Sequence, residues 1–180
     1  MKGFMFTNFL DFIEKTHDLQ LIDDMILSCN LPSGGVYSAF NKYEFNELVT
    51  MLTYVSKRTD THPDILLEQF GAFVFPYLIG KHSYIIETYS NPLDLLAGIQ
   101  DHIHIEVKKL YDDADLPTFC VTDRTDNRLA LIYNSSKGLT FFAIGLIKAT
   151  LVHFKVKGSV LVDDSFDKRE GVKFDIQLLR

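Results

Sequence analysis

Six histidines are the first residues here that could do chemistry, and two of them stand together as His102-Ile-His104. Neutral imidazole is a common metal ligand, and its charge changes near neutral pH. Residues two apart in a helix point in different directions. The pair therefore cannot easily share one metal, and periodicity does not choose between them. Each also reads as an ordinary surface histidine or a satisfied core one, as do the isolated His17, His62, His82 and His153. A second cluster is Tyr133-Asn-Ser135-Ser-Lys137, just after an apolar run. Strand alternation would put Tyr133, Ser135 and Lys137 on one side. Two hydroxyls and a cation there suit an anionic ligand group; the alternative is a strand end running into a turn. Cys29 and Cys120 are far apart with no Cys-x-x-Cys, the pattern of two reduced thiols rather than a metal knuckle. No nucleophile elbow, P-loop or dinucleotide loop occurs. Asp112, Asp113 and Asp115 read as solvated loop, not as a general acid–base pair.

These residues must be carried by a chain of 180 residues with a formal charge of −6. That length predicts a single domain over 1–180. The acidic balance argues against nucleic acid and against anionic lipid. The longest apolar run, residues 70–80, is roughly half the ~20 residues of a membrane span. With no secretory pattern at the start, the expectation is a cytoplasmic protein. Fifteen phenylalanines and no tryptophan predict a dry, oily interior.

Helical periods dominate before Pro117 and alternation mostly dominates after it. Phe6, Phe9, Leu10 and Ile13 mark one amphipathic helix. Leu21 to Ile26 mark a second, stopped near Asn30, and Phe45 to Val55 a third. A fourth starts at Pro63 and runs to Tyr77, with Pro76 predicting a kink or an early end. A fifth is capped by Asn91, has Pro92 at its first position and continues to about Leu110. Beyond Pro117 come a hairpin over 118–133, a helix over 139–154 and a second hairpin. The fold class is α+β, a helical N-terminal part packed on a C-terminal antiparallel sheet with helices.

One resemblance ties these pieces together. Ile103-His104-Ile-Glu106-Val107-Lys-Lys109-Leu110-Tyr111, followed by Leu116-Pro117, resembles the proximal-helix signature of the H-NOX family, the heme-nitric oxide/oxygen binding domains. Met1-Lys2-Gly3 resembles the family's start. Tyr133-x-Ser135-x-Lys137 resembles its Tyr-x-Ser-x-Arg propionate motif, and Gly145-Leu146-Ile147 the family's next helix. The resemblance spans the chain in order and is to the bacterial stand-alone type.

It implies a b-type heme (heme b) between the helical and α/β parts, with His104 as the axial iron ligand. Tyr133, Ser135 and Lys137 would hold the propionates, and Pro117 would press on the porphyrin. Lys137 stands where the family usually has Arg, which keeps the charge and loses the bidentate fork. By the same matching Met5, Phe9, Val74, Phe142 and Leu146 would line the distal side. Members that hold oxygen stably use a Tyr at the position of Phe142. Phe cannot donate the hydrogen bond that bound oxygen needs, so nitric oxide is favoured, with carbon monoxide as a second ligand. The implied function is a gas sensor, not an enzyme, that regulates a separate partner, either a histidine kinase or a cyclic-di-nucleotide enzyme. A reading of another class is a heme-free interaction module whose apolar pocket is plain core. A heme enzyme is disfavoured because the sequence offers no distal acid/base group.

Overall fold

The computed structural model describes residues 1–81, 83–111 and 113–179; the candidate residues His82 and Asp112 lie outside the described residues. The helices are α1 (Gly3–Thr16), α2 (Leu19–Ser28), α3 (Phe45–Thr59), α4 (Pro63–Lys81), the short α5 (Ser83–Ile86), α6 (Pro92–Ala97), α7 (His104–Leu110) and α8 (Thr140–His153). The strands are β1 (Thr118–Arg124), β2 (Arg128–Asn134), β3 (Gly158–Val162) and β4 (Val172–Leu178). They form one 4-stranded sheet in the order β1-β2-β4-β3, antiparallel throughout. The α+β architecture is as expected.

Local chemistry explains several boundaries. Asp18 caps α2 by accepting from the Leu21 N–H at 2.8 Å. Asn91 caps α6 in the same way through Leu93 N–H at 2.8 Å, with Pro92 in the first turn, a position where its missing N–H costs nothing. α3 stops at Asp60 in the left-handed region, φ 50°. α2 ends at Cys29 with extended backbone, so Asn30 is not its left-handed stop.

Two expectations are modified. α4 neither ends nor breaks off at Pro76 but continues to Lys81. The proline deprives the carbonyl of Ala72 of its partner. Ala72 and Pro76 are both exposed, so water takes that acceptor, while buried Val74 and Phe75 keep the helix on the core. The fifth helix is not continuous either. A π turn over Ile99–Ile103 separates α6 from α7.

The interior has two parts. One is helical: Phe6, Phe9, Phe12, Met25, Met51, Phe70 and their neighbours. The other lies under the sheet: Leu93, Leu96, Leu129, Leu131, Phe174 and Ile176. α8 belongs to both, turning Phe142 to the first and Ala143, Ile144 and Ile147 to the second. It lies almost against α4. A Cβ on Gly71 would overlap the Phe142 carbonyl, and one on Gly145 the Glu68 carbonyl. Among the described residues no helix is long and apolar enough to cross a membrane.

Candidate functional site

The π turn delivers the first site residue. Ile103 N–H reaches back five residues to the Gly98 carbonyl at 3.2 Å, and His104 N–H to that of Ile99. Beyond this turn the two histidines that periodicity left equivalent part company. His102 is exposed, with its Nδ1 2.7 Å from the Tyr89 hydroxyl. His104 turns inward against the ring of Phe119, centroids 5.8 Å apart.

Burial, with the positive charge of Lys108 second, pushes His104 down to about 4, so its imidazole is neutral at neutral pH. The ring also hydrogen-bonds the Pro117 backbone. Proline has no N–H, so Pro117 offers its carbonyl and His104 donates. One ring nitrogen is thereby engaged, and the other keeps its lone pair. That is the tautomer a metal-binding histidine needs, fixed by the partner behind it.

Phe119 pairs with Tyr133 across β1 and β2, and their rings lie 5.3 Å apart. Burial raises the Tyr133 hydroxyl above its ordinary range, and a hydrogen bond to Ser135 opposes this. Strand alternation does not bring Ser135 and Lys137 to Tyr133, because β2 ends at Asn134. A serine turn joins Ser135 to Lys137 instead: Ser135 Oγ accepts from Lys137 N–H at 3.2 Å, and Gly138 comes next at φ 61°. The Lys137 ammonium forms an ion pair with Asp115, and Ser136 Oγ lies 3.2 Å from the same carboxylate. Asp113 is likewise engaged, by Lys2 at 2.8 Å and Lys42 at 2.9 Å. Asp113 and Asp115 are thus exposed but ion-paired.

The apolar wall comes from three helices. α1 supplies Met5 and the buried Phe9, α4 the buried Val74, and α8 Phe142 with Leu146 one turn on. Met5, Phe9, Val74 and Phe142 meet in the helical core, and Leu146 is half-buried. Phe70 stands between Phe9 and Phe142, at 5.2 Å and 5.3 Å. A cavity of about 150 Å³ is bordered by Phe9, Phe70, Leu48, Leu52 and the turn from Lys137 to Leu139, so Phe9 is the wall residue that shares this space with the turn. A larger recess of about 520 Å³, around Asp94 and Arg124, shares no residue with this site.

The sequence reading missed Phe70, Phe119 and Gln100, whose Oε1 accepts from Phe119 N–H at 3.0 Å. No pattern in the sequence marks these three; that Phe119 is half-buried in an otherwise exposed strand is visible only in the fold.

The set fits an iron porphyrin. It offers one neutral imidazole with a free nitrogen, apolar surface for the ring, and, for its carboxylates, the bonded hydroxyls of Tyr133 and Ser135 with a lysine two residues on. Lys137 has three donors, so the bond to Asp115 leaves two. Among the described residues no group of three or more His, Cys, Asp or Glu could hold a metal ion by themselves.

Comparison with known proteins points the same way. The family described as haem-NO-binding matches residues 2–162. The chain is similar to the unliganded Fe(II) H-NOX protein from K. algicida, at 36% identity and TM-score 0.94, covering 100% of this chain and 97% of that one. It is similar to the H-NOX from Shewanella woodyi, solved in the Fe(II)CO state with IWP-051 bound, at 31% identity and TM-score 0.84, covering 98% and 94%. A third, the S. oneidensis H-NOX protein in the Fe(II)NO state, shows 26% identity and TM-score 0.88, covering 100% of each chain. No curated protein matches the chain.

Proposed function

The chain belongs to the haem-NO-binding family of heme-based gas sensors, and from that premise we propose that it is a single cytoplasmic sensor domain that binds heme b, takes up nitric oxide and regulates a separate partner. The observation that carries this reading is His104, neutral and held by the Pro117 carbonyl so that one ring nitrogen is free. Heme supplies a ferrous iron able to bind diatomic gases. The protein's share is to hold and orient it. His104, the first residue of α7, would ligate the iron. Tyr133, Ser135 and Lys137, at the end of β2 and in its turn, would hold the propionates. Pro117 would bear on the porphyrin.

Met5, Phe9, Val74, Phe142 and Leu146 form the distal wall. Phe142 packs on Phe70 and has no hydrogen to donate, so this wall excludes water without stabilising the charge that develops on bound oxygen. Nitric oxide and carbon monoxide need that help less. The partner is a histidine kinase or a cyclic-di-nucleotide enzyme, and the domain is a sensor without catalytic activity.

One experiment decides the reading. His104→Gly should abolish normal heme incorporation and regain it with added imidazole, while His102→Ala should keep the Soret band. The ferrous wild type should bind nitric oxide and carbon monoxide and form no lasting oxygen complex in air. A normal Soret band in His104→Gly would sink the assignment, and a persistent oxy spectrum the ligand preference. A purified chain that takes up no heme would leave the interaction module in its place.

A further inference from the structure

The turn that delivers His104 is fastened from two sides. A π turn holds one residue more than an α turn, and it occurs mostly as a single turn inside α-helices, often at functional sites. On the outer side stands Tyr89, in the segment between α5 and α6, with its hydroxyl 2.7 Å from His102 Nδ1 and the two rings 5.7 Å apart. Tyr89 also lies over Gly98, whose carbonyl accepts the first bond of the turn. A Cβ at that position would overlap the tyrosine hydroxyl, so the glycine is what lets Tyr89 come so close. On the inner side Gln100 Oε1 accepts from the Phe119 N–H at 3.0 Å, and Phe119 is the ring that stands against His104. Gln100 thus ties the turn to the sheet edge, and Tyr89 ties it to the segment before α6.

We propose that Tyr89 and Gln100 are positioning residues that keep this turn wound wide and so set the direction in which His104 presents its free ring nitrogen. The mechanical cause is simple. One residue corresponds to about 100° of helix rotation. If the extra residue were absorbed, α7 would turn relative to α6 and carry His104 away from Phe119. The inference rests on the reading of His104 as the iron ligand and deepens it.

The test uses the heme-loaded full chain and the variants Tyr89→Phe, His102→Ala, their double variant, and Gln100→Leu. Two quantities are read: the iron–histidine stretching band by resonance Raman, and amide hydrogen exchange of residues 99–110. Tyr89→Phe should displace the band and speed exchange at Ile103 and His104 by roughly five- to tenfold, the factor expected for one lost neutral hydrogen bond, with β2 and β4 unchanged. His102→Ala should do the same, and the double variant no more than either single one. Gln100→Leu should displace the band as well. A lowered melting temperature with the band and the exchange unmoved would overturn the positioning role. A wild type that shows no iron–histidine band, or one that survives in His104→Gly, would overturn the heme reading and this inference with it.

Discussion

Around α1 and α4 the core is built of rings. Phe9 meets Phe70 edge-on at 5.2 Å, and Phe12 meets Phe70 and Phe73 at 5.7 Å and 5.5 Å. Under the sheet it is built of Leu129, Leu131, Phe174 and Ile176 on a hydrogen-bonded ladder, with Leu129 opposite Ile176 and Leu131 opposite Phe174. The two respond differently to displacement. Aromatic pairs are favourable over a range of separations and tilts, roughly 4.5–7 Å between centroids. A ladder has no intermediate settings, since a slip of one residue sends every side chain to the other face. The sheet side is therefore a fixed frame and the helical side an adjustable one. α8, packed on α4 through Gly71 and Gly145, is where they meet. The proposed heme site would have one rigid wall, carrying Tyr133, and one compliant wall, carrying Phe9 and Val74.

The sharpest way to break this contrast is to empty one ring position on each side. Phe12 and Phe174 are both fully buried. A Phe→Ala change costs about 3–5 kcal/mol, and the value depends on how well the surroundings collapse. Phe174→Ala should lie near the top of that range and Phe12→Ala near the bottom, as measured by denaturant unfolding of the two variants. Equal costs, or the reverse order, would remove the distinction.

A smaller effect is expected at the seam. Gly145→Ala gains about 1 kcal/mol of helix propensity but drives a methyl into the Glu68 carbonyl, and backbone cannot swing aside. Overpacking costs about 1–3 kcal/mol. The net should be a loss of up to about 2 kcal/mol in thermal unfolding, and a stabilised variant would mean that α8 can move off α4.

The smallest effect concerns charge. Asp113 is held down to about 2 by hydrogen bonds from Lys2 and Lys42 on the helical side. Asp163 is held down to about 2 by hydrogen bonds first from Ser165 and then from Lys173 beside the sheet. Each is more acidic folded than unfolded, where the ordinary value is 3.8. Each therefore contributes stability above about pH 4 that is lost as pH falls towards 2. The loss should shrink in high salt, since Asp113 is exposed and Asp163 only half-buried. Asp113→Asn and Asp163→Asn should each flatten part of the acid limb of a stability–pH curve; unchanged limbs would show these pairs to be idle.

How much of this was legible in the sequence depends on the range of the cause. Asn91 with Pro92, and the apolar stripe from Phe6 to Ile13, act within a few residues, and the elements they predict are present. The π turn was not legible. Its bonds from Tyr89 and Gln100 span 13 and 19 residues along the chain, and no local pattern encodes them. The same turn is why spacing alone could not choose between His102 and His104. For the turn after β2 alternation was the wrong guide, since Ser135 and Lys137 lie beyond the end of the strand. The apolar wall was readable as core from hydrophobic spacing; its assignment to one pocket came from family resemblance.

The order β1-β2-β4-β3 leaves β1 and β3 as the two margins of the sheet, and margins are where copies of a chain can polymerise by adding strand to strand. The two are blunted in different ways. β3 is short, Gly158–Val162, which leaves little length to template on. β1 is longer, but its register shifts between Val121 and Asp123, and such a bulge bends the strand and increases its twist. The polar run Thr122-Asp123-Arg124 then places charge on the stretch beyond the bend. This sheet can therefore stay at four strands in a crowded cell.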